Sequence, residues 1–389
     1  PYGPASSLGR FHHSSRIARL LVLFSRTHLS GLCATLLERA YPARADLHAW
    51  RSQEPITLQG RMSPRDPRLR SAYRSFRKNL SAILRQAAEA SPAVVVCTVP
   101  VNLRDCAPFS TSFLDDETAA QEVREKLRAA IAAETATNRV EASRLYADVI
   151  QRDPTHAEAL FRAARLALAA NRTAEAAALF SRARDADALR LRADSRLNAL
   201  VRECAANASV SLLDAEALFA IRSPQGIPGR ELFIDHVHYT FEASYLLASS
   251  MLDRLEFLRA FDPEPTGALP DAEALASELL YEPWGRAAQL AAVIDRQFRP
   301  PFRRQLDNAD TLARLNEEKR ALDARVAAIV EGKQQLFKVI QRIIAGRKPQ
   351  RFHRARLAPR VHRDRFQQHG QQRIKRKQAQ RHQEDQQDH

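Results

Sequence analysis

A repeat with a period of 34 residues constrains the fold of this chain more than any other feature of its sequence. Residues 131–190 are rich in alanine, and positions 34 apart carry matching residues. The matched pairs are Glu141 with Glu175, Ala142 with Ala176, Leu145 with Leu179, Tyr146 with Phe180, and Asp153 with Asp187. Small residues alternating with one aromatic residue at helical spacing predict antiparallel helix pairs that stack on one another.

This period resembles that of the tetratricopeptide repeat (TPR), a helical hairpin that stacks into scaffolds for protein partners. Residues Thr155 to Asp187 match one full repeat, and Asn138 to Pro154 match the last helix of a preceding one. A stack needs about three repeats to be stable alone, so we expect this segment to lean on neighbouring structure. The resemblance implies that the repeats bind a protein partner.

The regions that flank the repeats have the pattern of an α/β layer. Residues 66–90 carry apolar side chains at helical spacing, with Asp66 as a helix cap and Pro67 in the first turn. A break at Ser91 and Pro92 precedes a β-branched run, Ala93 to Val101, which predicts a strand buried on both faces. Val210 to Leu213 predicts a second short strand. We therefore predict an α/β fold with a parallel sheet, interrupted by the all-α repeats.

The C-terminal third is predicted to be helical and then disordered. After a Pro-rich joint, apolar residues fall seven apart and indicate a partial coiled-coil seam, at Leu315, Leu322, Ile329, Leu336 and Ile343. The predicted segments are an α/β core over 1–130, the TPR-like insertion over 131–190, a final α/β segment over 191–262, a helical extension over 263–345, and a disordered tail over 346–389.

Composition excludes several functional classes. The net charge is +15, but the 346–389 tail carries thirteen Lys/Arg against four Asp/Glu and supplies more than half of it. The excess is therefore a property of the tail, and we do not expect specific nucleic-acid binding. No apolar run is long enough to span a membrane. The four cysteines lack metal-ligand spacing, so we predict neither a metal nor a cofactor.

A short motif near residue 235 carries the chemistry that the sequence offers. Asp235 precedes His238 by three residues, between an apolar segment and a helix-like one. This spacing lets the carboxylate orient one imidazole nitrogen while the other nitrogen takes a proton from a nucleophile. Such a pair also arises by chance, and a histidine beside a carboxylate is more often structural than catalytic.

The motif and three stretches around it resemble the SGNH (GDSL-type) hydrolases, in particular large bacterial proteins in which TPR repeats interrupt the hydrolase domain. The stretches are Ala93 to Phe109, Asp187 to Arg202 and Gly226 to Leu247. The resemblance implies an SGNH-like α/β layer and an ester hydrolase or acyltransferase. It makes His238 the general base and Asp235 its orienting partner, and it implies an acyl-ester substrate of unknown identity. It also suggests a location in the cell envelope.

The departures from that family matter as much as the match. The Gly-Asp-Ser nucleophile motif and the family's oxyanion asparagine are absent from these residues, and the sequence opens at Pro1. We therefore expect an N-terminally truncated fragment that lacks the nucleophile and is inactive by itself. The alternative is a TPR-containing interaction scaffold whose hydrolase fold is degenerate. No substrate follows from either hypothesis.

Polar residues after the first strand are the remaining candidates for a binding role. Asn102 and Arg104 follow Val101, and ligand sites of α/β layers form at the carboxyl ends of strands. We predict that both contact substrate, with ordinary loop capping as the alternative. Arg192, Arg196 and Asn198 lie at helical spacing and are expected on a solvated or interdomain face.

Overall fold

The computed structural model describes residues 61–112, 114–258, 260, 269–279, 281 and 283–346. Within them the chain is mostly helical, and two short strands form a small parallel sheet. The elements in chain order are α1 (Pro67–Ala90), β1 (Val95–Cys97), α2 (Glu117–Thr135), α3 (Arg139–Arg152), α4 (Ala157–Ala169), α5 (Thr173–Ala186), α6 (Ser195–Ala208), β2 (Ser211–Leu213), α7 (Ala215–Arg222), α8 (Phe241–Phe257), α9 (Ala272–Glu278), α10 (Pro283–Gln297) and α11 (Asn308–Gly346).

Both predicted strands are present, but each is only three residues long. β1 pairs in parallel with β2, with Val96 opposite Leu212. α1 and α6 pack together beside this pair, and α6 also contacts both strands. The wider α/β layer that we predicted over 1–130 and 191–262 is not found, since the described residues hold no further strand in the sheet. The fold class that the structure supports is therefore a helical protein with a minimal parallel sheet.

The repeats form two stacked helical hairpins. α2 packs against α3, α4 packs against α5, and α3 contacts α4. The bounds of α3 and α5 differ by 34 residues at both ends, as the sequence period requires. The matched aromatic residues Tyr146 and Phe180 are both fully buried. The first repeat begins earlier than predicted, because α2 starts at Glu117 and completes the hairpin that Asn138 to Pro154 was expected to end.

One end of this stack is covered by the chain itself. Ala107 and Ile227 join the core formed by α4 and α5, and Leu103 packs against it from the edge. These residues come from the loops after β1 and after α7, which lie outside the repeats. The stack therefore leans on neighbouring structure, as expected for a pair of repeats that is too short to stand alone.

The C-terminal region is helical where it is described. Leu315 and Leu322 of α11 are buried with Ala287, Leu290 and Val293 of α10, so the first part of the predicted seam packs against a neighbouring helix. The chain divides into two units, Pro1–Ala328 and Ile329–His389. The described part of the second unit is the end of α11. The predicted disordered tail lies outside the described residues.

Candidate functional site

The Asp235–His238 motif lies on a tight hairpin that leads into α8. The Ile234 N–H donates to the His238 carbonyl at 2.8 Å, and the Thr240 N–H donates to the Leu232 carbonyl at 3.0 Å. Phe233 and Tyr239 pair across the hairpin and pack against Phe219 of α7. Thr240 then caps α8. Backbone pairing and an aromatic cluster thus fix the four residues of the motif in one short loop.

The Asp235 carboxylate is buried and fully engaged. Its side chain is 2% exposed. Oδ1 accepts the backbone N–H groups of Val237 and His238 at 3.0 and 2.9 Å, so this oxygen closes the loop. Burial alone would raise the pKa of Asp235, but the imidazoles of His236 and His238 outweigh it and hold that pKa well below its usual range. The carboxylate therefore stays ionised beside the two rings.

His238 meets the carboxylate in the orientation that an acid–base pair requires. Its Nδ1 lies 2.7 Å from Asp235 Oδ2, and its side chain is 52% exposed. The hydrogen bond to Asp235 raises the pKa of His238, while partial burial opposes that rise. The geometry leaves a half-exposed ring anchored at one nitrogen, which can orient the other toward a reactant.

Asn102 lies beside the motif but is used within the protein. Its Nδ2 donates to the Asp235 carbonyl at 3.0 Å, and its N–H donates to the His236 carbonyl at 3.1 Å. Its Oδ1 accepts from the Asp105 N–H. Asn102 is buried, so these contacts tie the loop after β1 to the motif hairpin. The structure thus brings this predicted site residue to Asp235 as a support for the loop.

Arg104 belongs to a different set of contacts. Its guanidinium pairs with Asp105 at 3.1 Å and with Glu231, and it also donates to the Ile227 carbonyl. The backbone of Gly229 comes so close that a Cβ there would lie 2.5 Å from the Arg104 Nη2. Every hydrogen bond of Arg104 therefore goes to neighbouring loops, and none joins it to the Asp235–His238 pair.

Two residues that the sequence analysis did not single out complete the site. Arg296 of α10 donates from Nη1 to Asp235 Oδ2 at 3.1 Å and lies 3.5 Å from His238 Nδ1. His236 places its Nδ1 3.2 Å from Asp235 Oδ1 but without hydrogen-bond alignment, and this buried nitrogen has no partner. No signal in the sequence marks Arg296, since it comes 61 residues after Asp235. His236 was visible inside the motif.

The same three side chains form a group with metal-ligand chemistry. One ligand atom each from Asp235, His236 and His238 lies within 4.8 Å of the others. Two imidazoles and a carboxylate suit divalent transition metals. The sequence analysis predicted no metal because it searched for cysteine pairs and wider histidine spacing.

The helical repeats provide a second candidate surface. Their free end is the α2–α3 hairpin, where Val140 is 84% exposed. Around it, Arg144 pairs with Glu141 and Asp148, and Arg124 pairs with Glu117. An exposed valine among paired charges gives this face an apolar point in a polar surround, which is the composition of many protein contact surfaces.

Comparison with known proteins supports the repeats. The family described as "Tetratricopeptide repeat" matches residues 136–204. No curated protein and no solved structure matches the chain. The matched range ends inside α6, but α6 packs against α1 and the two strands, so the stacked hairpins end at α5. None of the helices that the structure describes combines the length and the apolar character that a membrane crossing requires.

Proposed function

We propose that this protein is an interaction scaffold that binds a protein partner through its TPR hairpins. The observation that carries the proposal is the pair of stacked hairpins α2–α5, whose residues 136–186 fall inside the matched family range. Stacked repeats expose extended faces that suit protein partners. The α4–α5 end is covered by Leu103, Ala107 and Ile227, so the partner contacts the open α2–α3 end.

The open face has a suitable anchor for a partner. Val140 is almost fully exposed at the start of α3, beside Arg139. Burying an exposed valine on binding is favourable, and the surrounding charges supply orientation more than affinity. A partner with a small apolar patch ringed by charges of both signs matches this face.

Site-specific photo-cross-linking tests the scaffold. A photoreactive phenylalanine analogue replaces Val140 in the full chain, and the matched control carries it at Ile221, which is 80% exposed on α7. We expect a discrete cross-linked protein at Val140 that is absent at Ile221 and is weakened by Arg139→Glu. Identical cross-linking at both positions, or none at Val140, would contradict the proposal.

A second candidate function rests on the Asp235–His238 geometry. A buried carboxylate 2.7 Å from the Nδ1 of a half-exposed histidine supports a general base with its orienting partner. We infer that this pair serves an SGNH-like ester hydrolase or acyltransferase, in which His238 removes the proton of a serine hydroxyl. The TPR scaffold does not need this pair, so the two functions can be tested separately.

Ester hydrolysis by variants tests the second candidate. The assay uses p-nitrophenyl acetate with this chain and with the longest natural form of the protein that contains it. General-base catalysis contributes about 10²- to 10⁴-fold, so His238→Ala should lower hydrolysis by that factor. Cross-linking at Val140 should be unchanged in that variant. Hydrolysis that survives His238→Ala would contradict the assignment.

A further inference from the structure

We propose that Asp235, His236 and His238 bind one divalent transition-metal ion of the Zn²⁺ or Co²⁺ class. The ligand atoms are one carboxylate oxygen and the Nδ1 atoms of both histidines, which converge within 4.8 Å. The proposal goes beyond the scaffold and the acid–base pair. It does not depend on either of them.

The spacing of the atoms fits a coordination shell. The Nδ1 of His236 lies 3.2 Å from Asp235 Oδ1, and the Nδ1 of His238 lies 2.7 Å from Oδ2. Metal–nitrogen and metal–oxygen bonds are about 2.0–2.2 Å, so ligand atoms on one metal lie roughly 3 Å apart. Small adjustments of the two rings would bring all three atoms to that separation.

His236 is the observation that an acid–base pair leaves unexplained. Its side chain is nine-tenths buried, and its Nδ1 faces the Asp235 carboxylate without a hydrogen bond. An unpartnered buried nitrogen costs free energy unless something binds it. Phe109 and Phe302 pack edge-on against the ring at centroid distances of 5.4 and 5.3 Å, which holds its orientation. A metal bound at Nδ1 would supply the missing partner.

The surroundings complete the site on two sides. The N–H groups of Val237 and His238 already bind Asp235 Oδ1 and hold the carboxylate in place. His238 is half exposed, so the outer side of the site opens to solvent and leaves room for water as a further ligand. Two imidazoles and one carboxylate with an open position favour a transition metal over Mg²⁺ or Ca²⁺.

Arg296 opposes the metal and makes the proposal sharper. Its guanidinium lies 3.1 Å from Asp235 Oδ2 and would repel a cation there. The side chain is 38% exposed on α10 and can swing away when metal binds. Metal and Arg296 therefore compete for one carboxylate. Metal and the acid–base pair also exclude each other, since both use Nδ1 of His238.

Cobalt titration of the full chain tests the site. Bound Co²⁺ reports its coordination through visible absorption, and Zn²⁺ should displace it. We expect one site whose affinity falls at least about 100-fold in His236→Ala and in His238→Ala. His156→Asn, which changes a buried histidine of α4, is the matched control and should leave the affinity unchanged. Arg296→Gln should tighten binding about 2- to 5-fold, whereas Arg286→Gln on the same helix should not.

A measurement on the unaltered chain keeps the test independent of folding in the variants. Nine of the twelve histidines lie outside the described residues and can bind Co²⁺ by themselves. Paramagnetic broadening by one equivalent of Co²⁺ should therefore appear first at the rings of His236 and His238, before that of His156. Broadening that spares His236, or an affinity unchanged in both alanine variants, would overturn the proposal and leave the acid–base assignment intact.

Discussion

At the scale of single residues, the sequence named the motif but misjudged the polar residues around it. Asn198 was expected on a solvated face, yet it is completely buried. Its amide accepts from the Val99 N–H at 2.8 Å and donates to the Val99 carbonyl at 3.0 Å. Arg192 is buried too and donates to the carbonyls of Asn102 and Cys106. Helical spacing cannot distinguish a polar residue in water from one bound to a distant backbone.

Replacing Asn198 should reveal how much this bridge contributes. Asn198→Ala leaves a backbone donor and a backbone acceptor of Val99 without partners. Each unsatisfied buried group costs about 1–3 kcal/mol, so the variant should lose about 2–4 kcal/mol of unfolding free energy. Urea denaturation measures the loss. Asn316→Ala removes an exposed side-chain bond within α11 and should change stability by less than about 0.5 kcal/mol. Equal losses in both variants would refute the assignment.

His156 should make stability depend on pH. It is buried at the N-terminus of α4, where its Nδ1 accepts the Ala159 N–H at 3.2 Å. Burial lowers the pKa of His156 below its usual 6.5. The unfolded chain then takes up a proton before the folded one, so this contribution is present above about pH 6.5 and is lost as the pH falls toward the folded pKa.

The matched variant for that prediction is His156→Asn, because asparagine caps helices but does not titrate. The difference in urea midpoint between the native chain and the variant should shift in favour of the variant between pH 7.5 and pH 5.5. A difference that stays constant over this range would contradict the role assigned to His156.

At the scale of elements, the 34-residue period determined the repeat helices accurately. The helices α3 and α5 and the turns before them repeat almost residue for residue. Thr137 and Asn171, 34 apart, both adopt a left-handed backbone, with φ of 59° and 58°. The same period did not reveal α2 as the partner of α3, because the match between α2 and α4 holds only near their shared ends. It also did not show that the short strands would form only a two-stranded sheet.

The paired turns give a reciprocal test. A β-branched residue is strained where φ is positive, whereas asparagine tolerates that conformation. Thr137→Asn should therefore stabilise the chain by about 1 kcal/mol, and Asn171→Thr should destabilise it by a similar amount. Thermal unfolding of the two variants provides the comparison. Shifts of the same sign would show that the left-handed turns do not decide their stability.

Core positions of the repeats should tolerate much less change. Phe180 is buried against Phe161, with ring centroids 5.4 Å apart. Removing such a ring leaves a cavity, and Phe180→Ala should cost about 3–5 kcal/mol of unfolding free energy. Val140→Ala, in the same repeat system but exposed, should be nearly neutral. A small loss for Phe180→Ala, measured by urea denaturation, would mean that the hairpins do not form the core described.

At the scale of the whole molecule, the repeats are built into the chain rather than attached to it. The loop after β1 supplies Leu103 and Ala107 to the repeat core, and it also binds the Asp235 hairpin through Asn102. These contacts join residues about 50 to 130 positions apart, and no local pattern in the sequence encodes them. The sequence could predict which helices and motif exist. It could not predict that one loop connects the interaction module to the motif.

The most direct measurement of the central claim is hydrogen exchange of the full chain with and without the partner captured at Val140. If the scaffold proposal is correct, the partner slows amide exchange in α2 and α3 and leaves the Leu232–Thr240 hairpin unchanged. Protection confined to that hairpin, with unaltered exchange across α2 and α3, would contradict binding through the repeats.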